Sequence, residues 1–377
     1  MSWMRIRAMA RKEFIHILRD PRSLGMGIAI PMIMLLLFGY ALTLDVDQVP
    51  LMIWDQNRSQ ASREFVSHFL GSRYFALQGY ADTYQELETA IDTRRALAAM
   101  VIPSDFAGRL AAGHGVKIQW IVDGSDSNTA TIASGYAEVI TATFSQDLVL
   151  RELQRKSGKS TASPVDVRPR VWFNADLESR NYIIPGLIAV IMMVIAALLT
   201  SLTVAKEWEQ GTMEQLISTP VKAPELILGK LTPYFLIGIF DVLLAVLMGE
   251  FLFHVPLRGH VLLIFVQAAI FLMGTLSLGL LISIVTRNQL LASQFAMVAT
   301  FLPAFLLSGF AYPIRSMPAV LQGITYIIPA KYFVILLKGI YLKGVGPEVL
   351  YGEALFLALF ALLMFFLANK KFKKKLV

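Results

Sequence analysis

Residues 182–205 read YIIPGLIAVIMMVIAALLTSLTVA, without one charged side chain. A helix needs about 20 mostly apolar residues to cross the hydrocarbon core of a bilayer, and this run exceeds that length. Five further runs work outward from it, at 24–44, 226–254, 257–285, 290–311 and 349–369. The Gly and Pro residues inside several of them suit spanning helices, whose neighbours satisfy the freed backbone groups. The pattern predicts an α-helical polytopic membrane protein with six transmembrane helices. A polar stretch, 45–180, separates the first run from the second and predicts an inserted domain outside the bilayer.

Composition supports the membrane reading. Of 377 residues, 56% are hydrophobic and 16% charged, against about 25% charged in an ordinary soluble domain. The net charge of +7 is unevenly placed. Residues 1–23 carry six Arg/Lys against two acids, and the last eight residues carry five Lys and no acid. Basic residues beside span ends mark the cytoplasmic side. Both termini are therefore expected in the cytoplasm of a bacterial inner membrane, which requires an even number of spans. The insert holds 14 basic and 17 acidic residues, and its mild acidity predicts an extracytoplasmic location. Anionic headgroups account for the basic tracts, so a nucleic-acid partner is not expected. The charged stretch before the first run and the lack of a small-residue cleavage site after it predict a retained anchor. With no cysteine, disulfides, thiolate zinc sites and cysteine nucleophiles are excluded.

The segment 1–23 is expected to hold a basic amphipathic helix over 3–19. Trp3, Ile6, Ala10, Phe14, Ile17 and Leu18 recur at helical spacing, with Arg5, Arg11, Lys12 and Arg19 mostly off that stripe. Asp20-Pro21 ends it, because a residue before proline avoids the helical region. Such a helix lies in the headgroup plane or simply anchors the first span. In the insert, period-2 runs at 51–54, 75–78, 98–102, 117–122 and 165–173 alternate with period-3.6 runs at 60–70, 83–92, 104–112 and 129–155. That alternation predicts an α/β domain around a small sheet, with a loop at 156–163. In 312–346, Pro313, Pro318 and Pro329 cut the apolar sequence into pieces too short to cross. Re-entrant or interfacial helices are expected there, the alternative being a seventh span.

The sequence that follows the second run is VAKEWEQGTMEQLISTP, residues 204–220, within a cytoplasmic elbow at 206–224. Glu207, Gln210 and Glu214 fall on one face of a helix. Gly211 weakens that helix. Thr212 with Gln215 is expected to form a capping box that restarts it, and Pro220 ends it. Pro224 and Glu225 suit the first turn of the next span. The pattern predicts a stiff acidic elbow continuous with the second span, where a solvated charged turn would be the plainer reading.

The elbow resembles the signature of the ABC type-2 permease family, Glu-x-Glu-x-Gly-Thr-x-Glu-x-Leu, at Glu207, Glu209, Gly211, Thr212, Glu214 and Leu216. Residues 11–21, RKEFIHILRDP, are similar to the family's interfacial helix, and Pro329-Ala-Lys-Tyr-Phe333 to its sequence before the last span. The large insert is similar to that of the multidrug-exporter-like subgroup. The resemblance implies a permease subunit, not an enzyme, that works as a dimer with an identical or related permease. It implies docking of each half on a cytoplasmic ABC ATPase. Docking would involve Arg11, Lys12, Phe14, Arg19, Asp20 and Pro21 together with the elbow. No phosphate loop G-x-x-x-x-G-K-[ST] occurs in the chain, so no cofactor is expected on it and ATP is expected on the partner.

Two acids lie in the third run, Asp241 near its middle and Glu250 toward its outer end. A carboxylate at the bilayer centre costs roughly 2.5–3.5 kcal/mol on insertion scales, so it faces protein or water. Asp241 and Glu250 are candidates for a transport path, or for structural contacts. Their spacing puts them on opposite sides of the helix, and His254 could pair with Glu250. Thr275, Gly279 and Ser283 permit close helix packing. Met192, Met193, Phe295, Met297, Phe301 and Phe305 could line an adaptable apolar path, or simply pack. The histidines lack metal-ligand spacing. The expected function is an ATP-driven exporter of amphipathic compounds such as drugs. The alternatives are a lipid or glycan exporter, an ion-coupled transporter using Asp241, and a membrane-anchored receptor. A periplasmic adaptor protein and membrane lipids are further expected partners.

Overall fold

The structure is a computed structural model and describes residues 2–20, 24–42, 46–157, 172–174 and 178–372. It divides into two compact units, Met1–Thr43 with Arg170–Val377, and Leu44–Pro169.

The first unit is helical. Helix α1 (Trp3–Arg19) is followed by a five-residue π-helical turn, Gly25–Ala29, that runs into α2 (Ile30–Ala41). After the insert come α7 (Ser179–Glu209), the short α8 (Thr212–Ile217) and α9 (Ala223–Leu247), which a π-helical turn extends to Leu252. Next are α10 (Val261–Thr286), α11 (Gln289–Leu307), the short α12 (Ala319–Thr325), α13 (Pro329–Lys338) with a π-helical extension to Lys343, and α14 (Pro347–Lys371). Five of these are long and apolar enough to cross a membrane: α7, extended α9, α10, α11 and α14.

The first expected span, 24–44, is the exception. Its apolar helix stops at Ala41, and Gly27–Ala41 falls short of a full crossing, at about 1.5 Å per residue against a core of about 30 Å. The Pro-interrupted stretch forms two helices, Ala319–Thr325 and Pro329–Lys343, bent by 81°. Lys331 holds the bend: its Nζ donates to Thr325 Oγ1 at 3.0 Å and lies 3.7 Å from the centre of the Tyr326 ring.

Helix α7 is the hub. In its most apolar window 94% of residues are buried, against 11% in α14. Helices α2, α9, α10, α11 and α13 pack around it. Its closest approach is to α10 at Gly279, where a Cβ would stand 2.2 Å from the Ala197 carbonyl oxygen. One turn on, Ser283 Oγ accepts from the Val204 and Ala205 N–H groups at 3.0 and 2.9 Å, and Thr200 Oγ1 donates to Leu276 O at 2.9 Å. The small residues 275, 279 and 283 thus serve packing within the chain. Met192 and Met193 are in the core while Phe295 and Met297 are exposed, so these six side chains do not share one surface.

The second unit runs β1 (Val49–Asp55), α3 (Gln60–Leu70), β2 (Phe75–Tyr80), α4 (Tyr84–Asp92), β3 (Ala98–Ile102), α5 (Phe106–Ala111), β4 (Gln119–Val122) and α6 (Ser127–Ser157). The sheet order is β2-β1-β3-β4, with β1 parallel to β2 and β3 and β4 antiparallel to β3. Its central strands are apolar on both sides because both sides are covered. Phe65, Phe69, Phe106 and Phe144 pack on one side, Leu87 and Ala90 on the other. Of the expected strand at 165–173, residues 165–171 lie outside the described set and 172–174 form a bend. Most of the expected loop at 156–163 and Lys373, Lys374 and Lys375 of the basic tail also lie outside it.

Candidate coupling site

The elbow begins where α7 leaves the hub. Glu207 sits in its last turn, 8% exposed, and points inward to meet Lys230 of α9, which is 1% exposed. Lys230 Nζ lies 2.7 Å from Glu207 Oε2 and 2.9 Å from Glu13 Oε1 of α1. Lys12 Nζ closes the group at 2.9 Å from Glu207 Oε1. Two carboxylates thus meet two ammonium groups, and three helices share one neutral, mostly buried cluster. A buried charge persists in such a place only when paired.

Helix α1 reaches the cluster because α9 has no side chain in the way. A Cβ on Gly229 would stand 2.5 Å from Met9 Cβ and 3.3 Å from Ile6 O. The buried face of α1 is Ile6, Met9, Glu13 and Ile17, spaced at helical intervals. Both ends of α1 are tied down. Glu225 accepts from the N–H groups of Ser2 (2.7 Å) and Lys222 (2.9 Å), while Arg5 donates to Pro220 O at 2.6 Å. At the other end Asp20 lies 3.4 Å from Lys206. The expected single apolar stripe is therefore corrected. Trp3, Phe14 and Leu18 stay 77%, 42% and 55% exposed, because they lie about 80–140° around the helix from Glu13, beyond the edge of the buried face. Arg11 and Arg19 are exposed too, and Pro21 lies outside the described residues.

The turn after α7 differs from expectation in two respects. Gly211 adopts φ +69° and is itself the N-cap of α8, a left-handed conformation that glycine adopts without a Cβ penalty. Thr212 then falls inside the helix, its Oγ1 3.3 Å from Glu207 O, and no capping box with Gln215 forms. The reversal also separates the acids expected on one face. Glu207 is buried, whereas Gln210 and Glu214 are exposed. Met213 and Leu216 turn into the core. Glu209 accepts from Gln289 N at 2.8 Å and from the Gln289 side chain, at the first turn of α11. The Arg287 guanidinium stacks 4.7 Å from the centre of the Trp208 ring.

The structure thus brings Glu207 and Lys12 together and adds two residues that sequence reasoning missed, Glu13 and Lys230, while Glu225, expected only in a first helical turn, also ties down the start of α1. The available signal was a lone lysine in the apolar run Ile227-Leu-Gly-Lys230-Leu and an acid on the apolar face of α1. Asp241 stands apart from this cluster in α9. It is 2% exposed, and its Oδ1 has no hydrogen-bond partner among the described residues. Glu250 is exposed, on the other side of the same helix, and no ion pair with His254 is present among the described residues. No grouping of three or more His, Asp or Glu suited to a metal occurs among the described residues.

Comparison with known proteins covers the whole chain. The model of the ABC-2 family transporter proteins matches residues 21–370. The Escherichia coli (strain K12) protein named "Probable multidrug ABC transporter permease YbhS" is 41% identical over 379 residues, spanning 100% of this chain and 98% of that protein. A second protein of that strain, "Probable multidrug ABC transporter permease YbhR", is 30% identical over 352 residues, 93% of each chain. A third, "Inner membrane transport permease YhhJ", is 28% identical over 329 residues, 86% of this chain and 85% of that protein.

Proposed function

The chain belongs to the ABC-2 family of transporter proteins, and from that premise we propose that it is the membrane subunit of an ATP-driven exporter. Family membership implies a partner ATPase and a dimeric arrangement. ATP is bound by the partner, both termini and the elbow lie in the cytoplasm, and the insert lies outside. The substrates are amphipathic compounds such as drugs, a reading supported by the names of the E. coli relatives. A periplasmic adaptor and membrane lipids are further partners.

One observation carries the coupling reading. The buried cluster of Glu13, Lys230, Glu207 and Lys12 fuses α1 to the ends of α7 and α9, while Arg11, Phe14 and Glu214 remain exposed beside it. A push on those exposed residues is then delivered to the central helix without a flexible joint.

The test is co-purification with the partner ABC ATPase that this reading requires. Glu214→Lys reverses an exposed charge and should abolish co-purification while the permease remains folded. Unchanged co-purification of Glu214→Lys together with Arg11→Glu would refute the docking surface. Glu207 is unsuitable for this test, since a lysine there would face Lys230 and Lys12.

A second reading rests on Asp241, whose buried carboxylate has an oxygen without a partner. An ion-coupled transporter would retain transport without any ATPase and lose it in Asp241→Asn. A lipid or glycan exporter would instead keep ATP dependence with a different substrate.

A further inference from the structure

The last turn of α7 points three consecutive side chains at different neighbours, because successive residues are rotated by about 100° around a helix. Glu207 enters the buried cluster with α1 and α9. Trp208 and Glu209 instead meet the junction Arg287-Asn288 between α10 and α11, and Gln289, the first residue of α11.

Arg287 closes α10 at φ +54°, an uncommon conformation for a residue with a Cβ, and lays its guanidinium over the Trp208 ring. Asn288 caps α11 by accepting from Leu291 N at 2.9 Å. The Gln289 N–H has no acceptor inside its own helix, as for the first N–H groups of any helix. Glu209 supplies one from outside. Its Oε1 accepts from Gln289 N at 2.8 Å, and its Oε2 accepts from the Gln289 side chain. The carboxylate also meets the positive end of the α11 dipole. The elbow therefore grips the start of α11 through a charged pair of hydrogen bonds and a stacked cation.

The two spans joined to the elbow differ in how tightly they are packed. In the most apolar window of α11, 22% of residues are buried, against 94% in α7. Displacing a helix packed on all sides disturbs close contacts around its whole circumference. A helix packed on one side slides at smaller cost. Leu291, Phe295, Val298 and Leu302 lie along the open side of α11.

We propose that Trp208 and Glu209 are positioning residues that pass a displacement of the elbow to α11, the span that shifts in response. The proposal rests on the reading of the elbow as the part that the partner ATPase pushes.

The first experiment reads the link without the ATPase, by hydrogen exchange of residues 291–296 in the full chain in lipid nanodiscs. Glu207→Gln loosens the elbow by removing a charge from the buried cluster. In the otherwise wild-type chain it should speed that exchange about threefold or more, as expected between parts of one network. Gln289→Pro removes both donors to Glu209. Proline suits the first position of a helix, and Asn288 already has the extended backbone that precedes a proline, φ −132° and ψ 130°. Combined with Arg287→Gly, which removes the stack and suits the positive φ, Gln289→Pro should abolish the response to Glu207→Gln. Gln289→Ala keeps the backbone N–H and should preserve the response. Gly211→Ala, which strains the elbow turn, replaces Glu207→Gln if circular dichroism shows that variant to be unfolded. Exchange that ignores the loosened elbow, or a response that survives the double variant, would overturn the link.

The second experiment uses the complex with the partner ATPase. The chain has no native cysteine, so a spin label on Leu302→Cys, attached before the ATPase is added, reports on α11. Trapping with ATP and vanadate should change its spectrum in the wild-type background and leave it unchanged with Gln289→Pro and Arg287→Gly. An unchanged wild-type spectrum in a complex that forms, or a change that survives the double variant, would overturn the proposal. Failure of the wild-type chain to bind the ATPase would instead refute the transport reading, and the exchange experiment would still decide the link.

Discussion

The two sides of Gly211 use the same residue type for opposite purposes. Before it, Glu207 is buried and held by Lys230 and Lys12. After it, Glu214 stands in solvent. A straight helix would have kept both acids on one face. One residue at φ +69° turns the chain and divides them. An acidic motif therefore cannot be taken as one surface. One half clamps the chain to itself, and the other half remains available to a partner.

The inner half should break most severely. Lys230→Met leaves Glu13 and Glu207 facing each other with only the half-exposed Lys12 to compensate. Breaking a buried pair costs about 3–5 kcal/mol, so the purified protein should melt many degrees lower. Adding Glu13→Gln and Glu207→Gln should recover most of that loss, and an unchanged melting temperature in Lys230→Met alone would contradict the clamp. Gly229→Leu attacks the same junction sterically. It should cost about 1–3 kcal/mol by levering α1 off α9, seen as faster proteolysis within residues 2–20. Protection equal to wild type would show that α1 does not need the close approach.

The turn itself comes next. Gly211→Ala must place a Cβ in the left-handed region, at a cost of about 1–2 kcal/mol, with Gly211→Asn milder. A stability order of Gly, Asn, Ala in thermal melts would sharpen the comparison, whereas equal melts would show that the turn is not held left-handed. The outer half should be nearly silent in stability. Glu214→Lys should shift unfolding by less than about 0.5 kcal/mol, and a large loss would mean that Glu214 is part of the clamp after all.

Legibility in the sequence followed the range of the interactions. Strand Ala98–Ile102 and helix Gln60–Leu70 begin and end where hydrophobic periodicity puts them, because period and local caps are near-neighbour effects. Ser59, for example, caps its helix by accepting from Ser62 N. The sequence places the helix cap at Thr212 and the structure places it one residue earlier, since the left-handed backbone of Gly211 decides which residue is the cap. The cluster around Lys230 was hidden altogether. Its partner Glu13 is 217 residues away, and each charge taken alone looks like an exception in an apolar stripe.

By itself the sequence determined where five long apolar helices lie, the alternating strands and helices of the insert, and the glycine that interrupts the elbow. Tertiary structure alone decided that α7 is central while α14, also long and apolar, is peripheral, and which acids are buried. The physical reason is that hydropathy measures removal from water, and lipid and protein interior satisfy it alike. Only the packing partners distinguish the two, and they lie far away along the chain.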